Sequence, residues 1–180
     1  MNNKARVKMI AVCGIFSAAE LVIIYLSSVF QMLDLVIALM TVAFTLVLLC
    51  EYGSKPAIAV YLAVSVLSML IVPNKFTPLC YVFFIGIYPI IKPYFERLKK
   101  PFSIILKFVY FNVFYLAIYA ICVKFALLDD IFAIGSAMFY VVIVLGNLAF
   151  FLCDYVFGLM TLLYVAKLRK RLGFERIFKK

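Results

Sequence analysis

The chain has 180 residues, 68% of them apolar and only 14% charged. A soluble domain averages roughly 45–50% apolar and about 25% charged, so this composition excludes a soluble globular domain; it also excludes disorder, which needs low hydrophobicity and high charge. On so apolar a chain, the formal net charge of +10 points to basic loops on the cytoplasmic face of a membrane rather than to nucleic acid.

A bilayer span needs about 20 apolar residues, so about six spans would use most of the chain and leave only short loops. The expected fold is all-α: a polytopic membrane protein, a six-transmembrane-helix bundle forming a single transmembrane domain over residues 1–180. The first apolar run covers about 7–28 and is preceded or opened by Lys4, Arg6 and Lys8. It is longer than the apolar core of a signal peptide, and no clear small-x-small cleavage site follows, so it reads as a retained helix. The second run covers about 34–50. The third, about 57–73, follows Pro56, which suits a first helical turn. The fourth, about 79–95, is opened by Pro78, and the fifth, about 103–126, is preceded by Pro101. The sixth lies within a long apolar stretch. Its membrane helix is placed at about 141–166, with 129–139 as an outer loop or a short interfacial helix.

Charge sets the expected orientation. Of the 18 basic residues, all but Lys75 and Lys124 fall in the two tails, the 51–56 and 96–100 loops and the adjoining helix ends. The other side carries the acidic pair Asp129–Asp130. An even number of spans with both termini in the cytoplasm satisfies this asymmetry, and an odd number scrambles it. The expected location is a cell (plasma) membrane, multi-pass.

Several chemistries are missing. There is no His, so no ordinary His-based metal site, triad or imidazole shuttle is expected. The five cysteines, Cys13, Cys50, Cys80, Cys122 and Cys153, are scattered through apolar runs with no CxxC. They read as small apolar helix residues. No phosphate loop, GxSxG, HExxH or kinase set is present. The expectation is a protein with no catalytic residues, metal or cofactor, and not an enzyme.

Two carboxylates lie inside spans. Glu20 is roughly 20 Å into the first helix and Asp154 roughly 18 Å from the cytoplasmic end of the sixth. An ionisable group there costs roughly 2.5–3.5 kcal/mol and should face the interior. Each fits a ligand contact or proton site as well as a carboxyl bonded to a neighbouring helix. Asn147 shares a face with Asp154, and Asn112, Tyr115 and Tyr119 form a stripe on the fifth helix. These groups suit a flat, partly polar small molecule, or simply bond between helices. On the first helix Ala11, Gly14, Ser17 and Ala18 form a small-residue stripe that would let another helix approach closely, either within the bundle or on a partner protein. In the fourth, Gly86, Pro89 and Pro93 mark a broken helix, a kink or a moving part.

The AVCGIFSAA stretch and the ending GNLAFFLCDYVFGLMTLLYVAKLRKRL, with the chain length, resemble the S components of energy-coupling factor (ECF) vitamin transporters. The resemblance implies a substrate-binding subunit for a vitamin or similar small micronutrient. Its implied partners are a transmembrane coupling protein, two ATPase subunits, a small-molecule ligand and the lipid bilayer, with no nucleic acid. It implies that the helix-1 stripe, Gly14 to Ala18 with Ala11 before it, meets the coupling protein, though Gly stands where the family has Ala. By position it points for the pocket to Gln31, Asn74, Lys75, Tyr81, Tyr119, Tyr140 and Asn147. The middle of the chain, DLVIALMTVAFTLVLLCEYGSKPAIAVYLAVSVLSML, also looks like a group of uncharacterised bacterial membrane proteins. Two other classes remain open: a non-catalytic membrane scaffold of the MreD-like kind, and a small proton-coupled carrier or intramembrane enzyme using Glu20 and Asp154.

Overall fold

The computed structural model describes residues 3–30, 33–124 and 136–168, and these residues are all-α. The helices are α1 (Asn3–Val29), α2 (Asp34–Leu39), α3 (Thr41–Tyr52), α4 (Ser54–Ile71), α5 (Phe76–Cys80), α6 (Tyr88–Phe95), α7 (Lys100–Lys124) and α8 (Ser136–Leu163). Five-residue π-helical turns follow α5 (Tyr81–Ile85) and α8 (Tyr164–Leu168).

Among the described residues, six helical segments are long and apolar enough to cross a membrane: Arg6–Val29, Asp34–Tyr52, Ser54–Ile71, Phe76–Phe95, Lys100–Ile121 and Ile143–Ala166. They correspond within a few residues to the expected runs. The second span is α2 and α3 joined through Met40, whose N–H reaches the Ile37 carbonyl at 3.0 Å. The fourth is α5, the π turn and α6. Large apolar side chains such as Leu70, Val144, Leu148 and Leu162 stand exposed along the spans, as a lipid-facing surface requires.

Local chemistry explains the span boundaries. Gly53 ends α3 with φ +84°, a backbone conformation that residues with a Cβ rarely adopt. Pro56 falls in the first turn of α4, where its missing N–H leaves no helical bond unmade. That helix ends at Ile71 because Val72 precedes Pro73 and is extended (ψ 127°), as a pre-proline residue prefers. In the fourth span Pro89 cannot donate to the Ile85 carbonyl. Just before it the ladder widens, and the Gly86 N–H donates to the Tyr81 carbonyl five residues back at 2.8 Å. The segment 129–135 lies outside the described residues; α8 begins at Ser136.

The chain divides into two compact units, residues 1–90 with 157–180, and residues 91–156. In the first, α1 packs on α2, α3 and α4, α3 packs on α4, and α5 with its π turn packs against these helices. Its core includes Ile24, Val42, Leu48, Val64, Ile85 and Tyr88. In the second, Tyr110 meets Phe95 edge to face at 5.8 Å, and Phe111 stacks on Phe150 at 4.9 Å.

Candidate functional site

Each unit holds one of the two carboxylates expected deep within spans, Glu20 in the first and Asp154 in the second. In the first unit, Glu20 is fully buried. Its face of α1 carries Ile24 and Ser27, also buried, at i+4 and i+7. One Glu20 oxygen accepts from the Thr45 hydroxyl at 3.1 Å and the other from the Tyr81 hydroxyl at 2.7 Å. The π turn supplies Tyr81. Tyr61 on α4 lies beside it, rings 6.2 Å apart, and donates to the Val82 carbonyl at 2.8 Å. Both oxygens of an acid sealed from solvent are therefore met, as a buried polar group requires.

In the second unit, Asp154 on α8 lies between two lysines. Lys92 Nζ is 2.5 Å from Oδ1 and also donates to the Asp154 backbone carbonyl; Lys107 Nζ is 2.7 Å from Oδ2. Both lysines are buried. Lys107 is carried there by the buried stripe Ser103, Lys107, Tyr110 of α7, spaced i, i+4, i+7. Glu96 adds two longer ion pairs, 3.4 Å to Lys92 and 3.5 Å to Lys107. Buried charges need such pairing, because an unpartnered one costs several kcal/mol.

Asn112 and Asn147 form an amide pair. The Asn112 amide donates to Asn147 Oδ1 at 3.0 Å and the Asn147 amide to Asn112 Oδ1 at 3.3 Å. Each also donates to its own helix, Asn112 to the Phe108 carbonyl and Asn147 to the Ile143 carbonyl.

The other expected site residues fall in several places. Lys75 Nζ donates to the Met69 and Val72 carbonyls, closing the C-terminal end of α4. Asn74 Oδ1 accepts from the Phe76 N–H and turns the chain into α5. Tyr81 faces Glu20. Tyr115 and Tyr119 are half-buried on α7, Tyr115 beside Phe111. Gln31 lies outside the described residues; Tyr140 lies on α8, with its side chain outside the described set. Ala11, Gly14 and Ala18 are exposed and Ser17 is half-buried. Among the described residues, a Cβ built on Gly14 meets nothing within 4 Å. By helical angle Ala11 and Ala18 lie opposite Glu20 and Ser27, Gly14 lies to one side at about 120° from Glu20, and Ser17 shares the face of Ile24.

Sequence reasoning missed Thr45 as a partner of Glu20, and Lys92 and Lys107 as partners of Asp154. From the sequence, both lysines count only as charges of the cytoplasmic side. Their position within the apolar runs was a usable signal, since a lysine there needs an anion. Among the described residues no cluster of His, Cys, Asp and Glu could hold a metal ion.

These features define a multi-pass helical membrane protein whose polar groups within the spans are matched largely by one another. Compared with known proteins, the chain matches no family model, no curated protein and no solved structure.

Proposed function

We propose that the chain is a non-catalytic subunit of a membrane complex, docking to its partner through α1. Within that class it is the substrate-binding subunit of an ECF-type importer for a vitamin or similar micronutrient, whose coupling protein and two ATPases supply the energy. The observation that carries the docking is the Ala11–Gly14–Ala18 face. It is exposed and has open space at Gly14 among the described residues, with Ala11 and Ala18 opposite Glu20 and Ser27 and Gly14 about 120° round the helix from Glu20. Small residues let a second helix approach closely. The test is Gly14→Leu. It should leave the protein folded, since no described residue lies within 4 Å of a Cβ built there, and abolish co-purification with a coupling protein. Unfolding of the isolated variant would instead make the stripe an internal packing face.

A scaffold role is the second reading, favoured by the bonding of Asn74, Lys75 and Asn147 within the chain. Calorimetry of the purified protein against a panel of vitamins separates the two. The importer reading expects one tight ligand. If Asn147 anchors that ligand, the ligand must replace its bond to Asn112, and Asn147→Ala should weaken binding roughly ten- to hundredfold. No binding by any vitamin selects the scaffold.

The proposed topology has both termini in the cytoplasm, on the strength of the basic asymmetry. Reporter fusions at Lys55, Lys99 and Lys180 should read cytoplasmic, and those at Lys75 and Asp130 external. An external C-terminus would overturn it.

A further inference from the structure

We propose that Lys92 and Lys107 form a site for a phosphate-bearing anion, favouring the phosphodiester of an anionic lipid headgroup, and that the Glu96 carboxylate occupies the anion's position in this structure. The starting point is charge balance. Two buried ammonium groups face one largely buried carboxylate, Asp154, whose side chain is 15% exposed. That leaves one positive charge to be met from elsewhere. Glu96 meets it, but loosely. Its side chain is 51% exposed, and its 3.4 and 3.5 Å contacts exceed the 2.5 and 2.7 Å of the Asp154 pairs. Charge-assisted hydrogen bonds run about 2.7–2.9 Å, so Glu96 acts as a replaceable counter-ion and Asp154 as a fixed one.

Position and charge favour the lipid. Glu96 falls between the end of the fourth span at Phe95 and the start of the fifth at Lys100, the depth at which headgroups lie. Arg97 and Lys99, exposed in the same short loop, and Lys100, exposed at the start of α7, attract anionic lipid to that surface. A phosphodiester carries a single negative charge, matching the one left over, and has two oxygens to offer the two ammonium groups. Inorganic phosphate shares the chemistry but brings a larger charge.

The test titrates the full chain in detergent with phosphatidylglycerol, phosphatidylcholine and inorganic phosphate, read by native mass spectrometry and thermal shift, for wild type, Glu96→Gln and Lys107→Gln. Glu96→Gln removes the internal competitor and should tighten phosphatidylglycerol binding roughly two- to fivefold. Lys107→Gln should weaken it roughly tenfold or more, and phosphatidylcholine should bind less well throughout. The same pattern with inorganic phosphate, and not with phosphatidylglycerol, would keep the site and assign it free phosphate. Equal binding by all three proteins, or weaker binding by Glu96→Gln, would overturn the proposal. Should Lys107→Gln fail to fold, Glu96→Gln alone decides, because a purely structural Glu96 gives no gain in affinity.

Discussion

Asp154→Asn should destabilise the protein by about 3–5 kcal/mol, the range for removing one partner of a buried ion pair. Asparagine preserves shape but removes the only largely buried anion of the Asp154, Glu96, Lys92 and Lys107 cluster. The remaining anion for both ammonium groups would then be Glu96, half in solvent and more than 3 Å from each, with Lys92 keeping its bond to the residue-154 carbonyl. Thermal unfolding of the purified protein in micelles reads the loss. Adding Lys107→Gln should recover part of it, because one unmatched cation then disappears. A variant melting like wild type would mean that water, rather than Asp154, already balances the lysines. Replacing Asp154 and both lysines together by apolar residues of similar volume should cost far less than Asp154→Asn alone. That comparison separates the value of the cluster from the penalty of breaking it.

The second large effect belongs to Gly86→Ala. A Cβ there would lie 2.7 Å from Tyr61 Cδ2 and 2.8 and 2.9 Å from Tyr81 Cζ and Cε1. Neither ring is free to swing away. Tyr61 is tied to the Val82 carbonyl, and Tyr81 to Glu20 at 2.7 Å. One methyl group must therefore break a buried hydrogen bond or shift the π turn. Overpacking of this kind costs typically about 1–3 kcal/mol, and a lost bond to buried Glu20 adds to it. Unfolding measurements on Gly86→Ala, Tyr61→Leu and the double variant form a cycle. The double should be less destabilised than the sum of the singles, since leucine removes the ring nearest the new methyl. Additive effects, or a neutral Gly86→Ala, would refute this account of the fourth span.

The same residues show where sequence reasoning reached its limit. Gly86, Pro89 and Pro93 announced a broken helix, because proline lacks a donor wherever it sits. They did not say that the ladder would open over Tyr81–Ile85 or aim a tyrosine at Glu20. Tyr81 and Glu20 were each singled out, for unrelated reasons and with 60 residues between them. Similarly, burial cost alone shows that Asp154 needs a partner, while in the sequence Lys92 and Lys107 stand out only through the charge asymmetry between the two sides. The expected Asn147 ligand anchor is an amide bonded to Asn112, the alternative already open for a polar residue within a span.

Composition and run length by themselves determined that this is an all-helical chain with six segments able to cross a bilayer, and roughly where each begins and ends. They could do so because, in lipid, every backbone group must be bonded within its own segment, which makes a span a local property of about 20 consecutive residues. Proline chemistry is local in the same way, so the boundary near Pro56 was legible too. Tertiary structure alone decided which polar side chains meet: Glu20 with Thr45 and Tyr81, Asp154 with Lys92 and Lys107, and Asn112 with Asn147. The reason is geometric. Pairing across helices depends on rotation and depth, and a residue shifted by one position turns about 100° around its helix axis, enough to exchange a buried partner for lipid.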